Sequence, residues 1–305
     1  MRSPEGPQPV RSQGGVARSL CAVGTRPRVR LALRPHRLRR VPSRSVNRPY
    51  SLHGSDPAQI DPFLGIDHAW MSAPTFPPHP HAGFSAVTYL FLDSETGIAN
   101  RDSQGNRTLI EPGGLHWTAA GRGVVHEENP AVPGRTVHLL QIFVNLPRER
   151  QGAAPFALSL APQDVPVVQR PGVRVRIPFG SFGGVHSPLV PPTEVTLLDV
   201  SLDAGAKLEL PLAAGQRAFF MPINGRAEVD GERFGLDDLG VPILAAATEA
   251  ATHKLAATQG AAQLAVFIGE PLCQPVVSNG PMAFASQQGL IAATAAYHRG
   301  DFGNL

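Results

Sequence analysis

Residues 76–84 read FPPHPHAGF, and residues 121–130 read GRGVVHEENP. Each stretch holds a pair of potential metal ligands two positions apart: His79 with His81, and His126 with Glu128. Alternate side chains of an extended strand project from the same face of a sheet, so each pair would aim both of its side chains at one point. The sequence therefore predicts two strands that present three imidazoles and one carboxylate to a single centre.

The residues around both pairs favour extended backbone. Pro80 disfavours the helical region for His79, and a Gly-Arg-Gly turn leads into the second pair. Strand parity then distinguishes two adjacent glutamates, because Glu128 shares a face with His126 whereas Glu127 points to the opposite face. Glu128 is thus the predicted ligand. A one-residue bulge in this strand would reverse the assignment.

The predicted ligand set indicates the class of metal. A lone His-x-His pair is common on protein surfaces, but a second pair on a nearby strand makes a metal site the better interpretation. Three imidazoles and a carboxylate suit a divalent transition metal, with Fe(II), Mn(II), Ni(II), Cu(II) and Zn(II) all open. Mg²⁺ and Ca²⁺ fit poorly, because they prefer mostly oxygen ligands. Two cysteines in the whole chain cannot build a thiolate metal cage.

Composition favours a β protein with two domains. The chain has 305 residues, with 31 Gly, 31 Pro and only 17% charged residues. Short apolar runs separated by turns are typical of many short strands. Residues 148–172 look like an irregular segment that crosses from one β unit to the next. A single helix is predicted, near residues 286–297, where SQQGLIAATAAY has helical spacing.

The first 50 residues differ from the rest. They contain 12 of the 27 Lys and Arg residues and one of the 24 acids, which leaves 15 basic and 23 acidic residues in the remaining chain. We expect residues 1–50 to be a disordered Arg/Pro-rich extension, with a start-site artefact, a transit peptide and a nucleic-acid arm as alternatives. The two domains are then expected at 51–165, which binds the metal, and 166–305, which does not.

Charge and hydropathy exclude several classes of partner. An acidic body offers no electrostatic footprint for nucleic acid, so no direct nucleic-acid binding is expected. A membrane span needs about 20 consecutive apolar residues, and the chain has no such stretch. We expect a cytoplasmic monomer. In the second unit His186 and His253 are isolated from other potential ligands, so no metal is expected there.

Several motifs occur in the order found in one known family: FPPHPHAGFSAVTYLF, NRDSQGN, PGGLHWTAAGRGVVHEENP, LLQIFVNLP, GEPLCQPVVSNGPMAF and GDFGNL. On these motifs, from Asp61 to Leu305, the chain resembles the pirin family. The resemblance implies an all-β fold of two stacked cupin (jelly-roll) β-barrels with a short C-terminal helix. It also implies one metal, with Fe(II) as first choice, held by the family's ligands, which fall on His79, His81, His126 and Glu128.

The resemblance implies two functions of different classes. Some bacterial members resemble quercetin 2,3-dioxygenases, which cleave a flavonol with O₂ and release CO. A eukaryotic member resembles an iron-dependent transcriptional coregulator that acts through protein partners. We favour the enzyme, with a small aromatic substrate, O₂ as co-substrate and Glu128 as general base. The alternative is a redox-sensing binding protein.

The chain departs from the common family text at Glu127, where a small residue is more usual between the ligand histidine and glutamate, and in one segment upstream of the first histidine pair. This segment reads FLGIDHAWMSAPT and covers residues 63–75. Residues beside a metal shape the substrate pocket, so these departures leave the substrate open. His116, Trp117 and His138 are candidates for the surroundings of the site, although core packing is the simpler explanation for each.

Overall fold

A computed structural model of the protein describes residues 29–31, 39–40, 46–53, 57–238 and 240–305. The chain in these ranges is almost entirely antiparallel β-structure. The first strands are β1 (Val29–Leu31), β2 (Arg39–Arg40), β3 (Val46–Leu52), β4 (Phe63–Met71), β5 (His79–His81), β6 (Phe84–Leu90), β7 (Ile98–Asp102), β8 (Arg107–Ile110), β9 (Leu115–Ala119), β10 (Val124–Pro130), β11 (Val137–Asn145) and β12 (Phe156–Leu160).

The N-terminal unit consists of a seven-stranded sheet and a four-stranded sheet that face each other. The larger sheet has the order β12-β9-β6-β11-β4-β3-β2, and the smaller has the order β5-β10-β7-β8. The predicted ligand pairs both lie on the smaller sheet, in β5 and β10. Two short 3₁₀ helices, Pro57–Gln59 and Arg148–Arg150, lie in the connections.

The C-terminal unit repeats this architecture. Its strands are β13 (Val167–Arg170), β14 (Val173–Phe179), β15 (Ser181–Phe182), β16 (Val185–His186), β17 (Val195–Leu202), β18 (Lys207–Leu212), β19 (Arg217–Asn224), β20 (Arg226–Val229), β21 (Glu232–Gly235), β22 (Pro242–Leu244), β23 (Ala251–Ala256), β24 (Ala262–Gly269), β25 (Val277–Asn279) and β26 (Met282–Phe284). The sheet orders are β1-β22-β19-β24-β17-β14-β13 and β18-β23-β20-β21, with β15-β16 and β25-β26 as separate ribbons.

The two large sheets share one apolar core. Buried side chains of the N-terminal unit, such as Val87 and Trp117, pack in the same cluster as Phe219 and Phe267 of the C-terminal unit. The phenyl rings of Phe219 and Phe267 stack with centroids 4.7 Å apart. Burial of this surface joins the two barrels, because each exposed sheet face would otherwise present a large apolar patch to water.

The interiors of the two barrels differ. The C-terminal barrel is filled by buried aliphatic and aromatic side chains, including Val200, Leu210, Phe220 and Leu255. The corresponding apolar cluster inside the N-terminal barrel is small and includes Met71, Leu90 and Leu139. The N-terminal barrel therefore has room for a pocket, and the C-terminal barrel has a packed core in that place.

Those parts of the N-terminal extension that the structure describes form strands. Strand β1 pairs with β22, β2 pairs with β3, and β3 begins at Val46 and pairs with β4. A segment that joins a sheet edge needs backbone hydrogen bonds rather than a core of its own, and composition does not reveal this. Residues 1–28, 32–38 and 41–45 of the predicted extension lie outside the described residues.

The segment 148–172 is also more ordered than predicted. It contains a 3₁₀ turn and two strands, β12 on the N-terminal sheet and β13 on the C-terminal sheet. Two of its exposed residues, Phe156 and Val167, begin these strands. Both strands lie at sheet edges, and the Pro and Gly residues around them favour irregular structure in the sequence.

The C-terminal helix α1 (Gln287–His298) begins at Ser286, whose hydroxyl accepts a hydrogen bond from the backbone N–H of Gly289. Its buried residues Leu290 and Ala293 pack in one cluster with Ala82 and Val125, which neighbour the predicted ligands. The end of the chain therefore packs on the N-terminal barrel. Nowhere in the described ranges does a helix have the length and apolar character needed to cross a bilayer.

The interface between the barrels contains one buried polar contact that should be measurable. Tyr89 is fully buried, and its hydroxyl donates a hydrogen bond of 2.8 Å to Asp199 Oδ2. We expect Tyr89→Phe to lower the free energy of unfolding by about 1–3 kcal/mol, because a buried acceptor loses its donor. Urea denaturation checks this, with Tyr297→Phe on the exposed face of α1 as control. Equal effects of the two changes would contradict the prediction.

Candidate metal centre

The register between β5 and β10 brings the three histidines together. His126 lies directly opposite His79, and Val124 lies opposite His81. One nitrogen of each of the three imidazoles falls within 4.8 Å of the others, which is the spacing of ligands around one ion. The imidazoles of His79 and His126 approach most closely, with their Nε2 atoms 3.1 Å apart.

Backbone carbonyls orient two of these imidazoles. His79 Nδ1 lies 3.0 Å from the carbonyl oxygen of Pro77, and His81 Nδ1 lies 3.4 Å from that of Pro281. A carbonyl accepts a hydrogen bond only from a protonated nitrogen, so both rings carry their hydrogen on Nδ1 and turn an unprotonated Nε2 toward the centre. This is the arrangement that metal-binding histidines adopt.

Burial keeps two of the clustered imidazoles, those of His81 and His126, neutral. Desolvation is the main cause that lowers the pKa of His81 to about 3, with repulsion from His79 as a smaller cause. Desolvation likewise places the pKa of His126 well below its usual value, with further lowering by the other histidines. Neutral imidazole is the form that binds a metal, so the site is ready for a cation at neutral pH.

Glu128 faces the same pocket but is held slightly apart from the imidazoles. It lines the cavity together with the three histidines, yet it is not part of the group whose ligand atoms lie within 4.8 Å. The Thr88 hydroxyl donates a hydrogen bond of 2.7 Å to Glu128 Oε2, which leaves Oε1 for another partner. Burial raises the pKa of Glu128 to about 7, against a smaller lowering by the Thr88 hydrogen bond.

Glu127 points to the other face of β10, as strand parity predicts. Its Oε2 lies 2.6 Å from Nη2 of Arg101, which is on the neighbouring strand β7. The pair is partly exposed to solvent, so its contribution to stability is small. The register of residues 124–128 contains no bulge that would exchange the two glutamates.

The pocket above the histidines is mostly apolar, with a volume of about 660 Å³. A cavity of this size accommodates a drug-sized aromatic molecule. Apart from the predicted ligands, its lining consists of Ser51, His53, Asp67, Ala69, Met71, Thr75, Phe76, Leu139, Gln141 and Phe143. Phe76 is 60% exposed at its mouth.

The other aromatic candidates lie outside this pocket. Trp117 is fully buried in the shared core. His138 lies on the opposite face of β11 from Gln141, where its Nε2 is 2.7 Å from Nε2 of His68. His116 makes buried hydrogen bonds, 3.1 Å to Asn100 and 2.8 Å to Ser159. Sequence reasoning missed the pocket residues Asp67 and His53, and also Thr88, whose hydroxyl binds Glu128, because their proximity depends on sheet register between distant segments.

The described part of the second unit shows no comparable cluster. His253 is buried, and its Nδ1 lies 2.7 Å from Asp230 Oδ2. His186 is exposed on the small β15-β16 ribbon. Within the described ranges, the three histidines of β5 and β10 form the one group with metal-ligand spacing.

The first three ligand candidates fit a divalent transition metal. Two of the imidazoles have their Nδ1 fixed by carbonyls, and His126 Nδ1 is buried without a hydrogen-bond partner in the structure. All three offer imidazole nitrogens, which are donors of the type that such metals prefer. The carboxylate of Glu128 is close enough to line the same cavity and to supply a negative charge.

Comparisons with known proteins agree with this architecture. The family model described as Pirin matches residues 37–144, and the Pirin C-terminal cupin domain matches residues 197–303. The chain belongs to the pirin family. This confirms the resemblance found in the sequence, together with the predicted all-β fold of two cupin units and a short C-terminal helix.

Named relatives of this pirin include enzymes. A Pseudomonas aeruginosa protein provisionally named quercetin 2,3-dioxygenase is 32% identical over 258 residues, or 81% of this chain and 88% of the relative. The crystal structure of a quercetin 2,3-dioxygenase from Acinetobacter baumannii has a TM-score of 0.75 at 25% identity, over 84% of this chain and 92% of that chain. A bacterial pirin from Escherichia coli, solved with nickel(II), has a TM-score of 0.60 at 17% identity, over 80% of this chain and 100% of that chain.

Metal content of purified protein tests the centre. We expect close to one transition-metal ion per chain in protein freed of loosely bound ions, because the second unit lacks paired ligands. His126→Ala should lose most of this metal, since a lost ligand costs more than the 10- to 100-fold in affinity that is typical of outer-shell changes. His186→Gln, at an exposed position of the second unit, is the control. Close to two ions per chain, or equal losses in both variants, would contradict the expectation.

Proposed function

We propose that this pirin is a metal-dependent dioxygenase that cleaves a flavonol-like enolic aromatic such as quercetin, consuming O₂ and releasing CO. The observation that carries the proposal is the mostly apolar 660 Å³ pocket that opens directly onto three convergent imidazoles and a buried carboxylate. We assign the metal, with Fe(II) as first choice, to His79, His81, His126 and Glu128. Mn, Ni, Cu and Zn stay open, because the donor set suits each of them.

The chain's own residues support this chemistry. A divalent metal at the site would supply Lewis-acid activation of the substrate hydroxyl. Glu128 is the proposed general base, because its carboxyl lines the pocket and Thr88 fixes one of its oxygens. Without a metal, burial raises the pKa of this carboxyl to about 7. A bound cation would lower that pKa and favour the carboxylate form that a base needs. Apolar side chains such as Leu139 and Phe143 keep water away from the reacting centre.

Relatives support the substrate class. The Pseudomonas and Acinetobacter proteins carry the name quercetin 2,3-dioxygenase, and both align over most of this chain. A flavonol offers adjacent enol and ketone oxygens for the metal and flat apolar rings for the cavity. The second candidate function is a metal-dependent redox-sensing protein, or a transcriptional coregulator that acts through protein partners, for which the family membership is the supporting observation.

One experiment separates the two functions. The protein is purified without added metal, its metal is identified, and O₂ uptake is then followed with a panel of flavonols in the presence of that metal. The dioxygenase predicts uptake of O₂ with release of CO. A fully metallated protein that consumes no O₂ with any flavonol would overturn the dioxygenase and favour the binding protein.

The adjacent glutamates give a matched pair of variants. Glu128→Gln keeps the volume of the side chain and removes both its charge and its basicity, so we expect at least about a tenfold loss of metal affinity and no turnover. Glu127→Gln breaks a partly exposed ion pair with Arg101, for which the expected cost is about 0–1 kcal/mol of stability. Metal content and flavonol-dependent O₂ uptake are measured for both.

The order of the two effects decides the assignment. The larger effect must fall on Glu128, since Glu128 lines the cavity and Glu127 does not. If both variants behaved alike, or if Glu127→Gln were the more damaged, Glu128 would be neither ligand nor base.

A further inference from the structure

A second cluster of polar side chains lies in the same pocket, away from the histidines. Ser51 and His53, at the end of β3, both contact Asp67 on β4. The Ser51 hydroxyl donates a hydrogen bond to Asp67 Oδ1, and Nε2 of His53 lies 2.9 Å from the same oxygen. Both partners bind one oxygen, so Asp67 Oδ2 is left without a hydrogen-bond partner among the described residues. The Asp67 side chain is 29% exposed, and that exposure is toward the pocket it lines.

The unusual segment 63–75 builds this cluster. It supplies Asp67 and also Gly65, which faces the same side of β4 two residues earlier. A Cβ atom on Gly65 would lie 2.4 Å from Nδ1 of His53, so the absence of a side chain there makes the space that the imidazole occupies.

A fixed distance separates the cluster from the metal centre. Asp67 pairs with Gln141 on β11, and Gln141 pairs with Thr88 on β6, the residue that holds Glu128. Two strand spacings place Asp67 about 10 Å from Thr88. The ring of Phe143 lies between the two ends, with its centroid 5.9 Å from that of His53 and 6.1 Å from that of His81.

We propose that Ser51, His53 and Asp67 form a second binding subsite, which accepts a hydrogen bond from a phenolic hydroxyl on the end of the ligand remote from the metal. The acceptor is Asp67 Oδ2, and the aromatic body of the ligand lies over Phe143 between the two polar ends. The hydrogen bond to Asp67 raises the pKa of the His53 imidazole. This favours the protonated imidazole, whose positive charge balances the negative charge of the Asp67 carboxylate. The inference rests on the proposed flavonol-like ligand and narrows it to hydroxylated flavonols.

Equilibrium binding of two ligands tests the subsite. Quercetin carries hydroxyls on its remote rings, whereas 3-hydroxyflavone carries only the enol and ketone that face the metal. Binding to the metal-loaded full chain is followed by ligand absorbance under nitrogen, so that no turnover occurs. We expect Asp67→Asn to weaken quercetin about tenfold or more, as for other hydrogen bonds to charged groups, and to leave 3-hydroxyflavone unchanged.

Two further variants complete the design. The added methyl group of Gly65→Ala would displace the His53 ring from Asp67, so this variant should also lower the preference for quercetin. The His53 side chain is flexible and half exposed and can move aside, so the fold and the metal content should stay intact. Asp164→Asn removes an exposed carboxylate outside the pocket and should change neither ligand. The ratio of the affinities for quercetin and 3-hydroxyflavone is compared across the variants. A change in this ratio reports the contact with the remote hydroxyl, whereas a general loss of pocket structure would weaken both ligands alike.

The outcomes are separable from those of the dioxygenase test. A selective loss of quercetin binding in Asp67→Asn and Gly65→Ala supports the subsite, whether or not the protein consumes O₂. Equal losses for both ligands, no loss for either, or no preference for quercetin in the unaltered chain would overturn the subsite. None of these results bears on O₂ uptake, which is measured separately.

Discussion

Antiparallel pairing of β5 with β10 places the imidazoles of two distant segments side by side, and the remainder of the site is built around that pairing. His79 and His126 are direct cross-strand neighbours, so their separation is set by the backbone spacing of the sheet rather than by flexible side chains. His81 joins them from the same face of β5. A rigid sheet is a better support for a metal than a loop, because the ligands are already in place before the ion arrives.

The two barrels show how one architecture serves two purposes. In the second barrel the space between the sheets is filled with apolar side chains, which stabilise the fold. In the first barrel part of that packing is replaced by a cavity lined with imidazoles and a buried carboxylate. The stability given up there is offset by the large shared core between the barrels, to which both units contribute.

The sequence predicted what depends on local spacing and missed what depends on register. The parity of residues 124–128 correctly placed Glu128 in the pocket and Glu127 outside it. The strands β12 and β13 of segment 148–172 were not predicted, because the Pro and Gly residues around them favour irregular structure. The row of Ser51, Asp67 and Gln141 is contiguous only after three strands have paired, so no local pattern could reveal it.

The last part of the chain braces the strands that carry the histidines. Ala82 forms a β-bridge with Met282, and His81 Nδ1 donates a hydrogen bond to the carbonyl oxygen of Pro281. The ring of Phe302 fills the place where a Cβ of Gly123 would be. Residues separated by about two hundred positions thus complete one centre. During synthesis on the ribosome, the first barrel leaves the exit tunnel long before these contacts can form, so the centre acquires its final packing only once Phe302 has emerged.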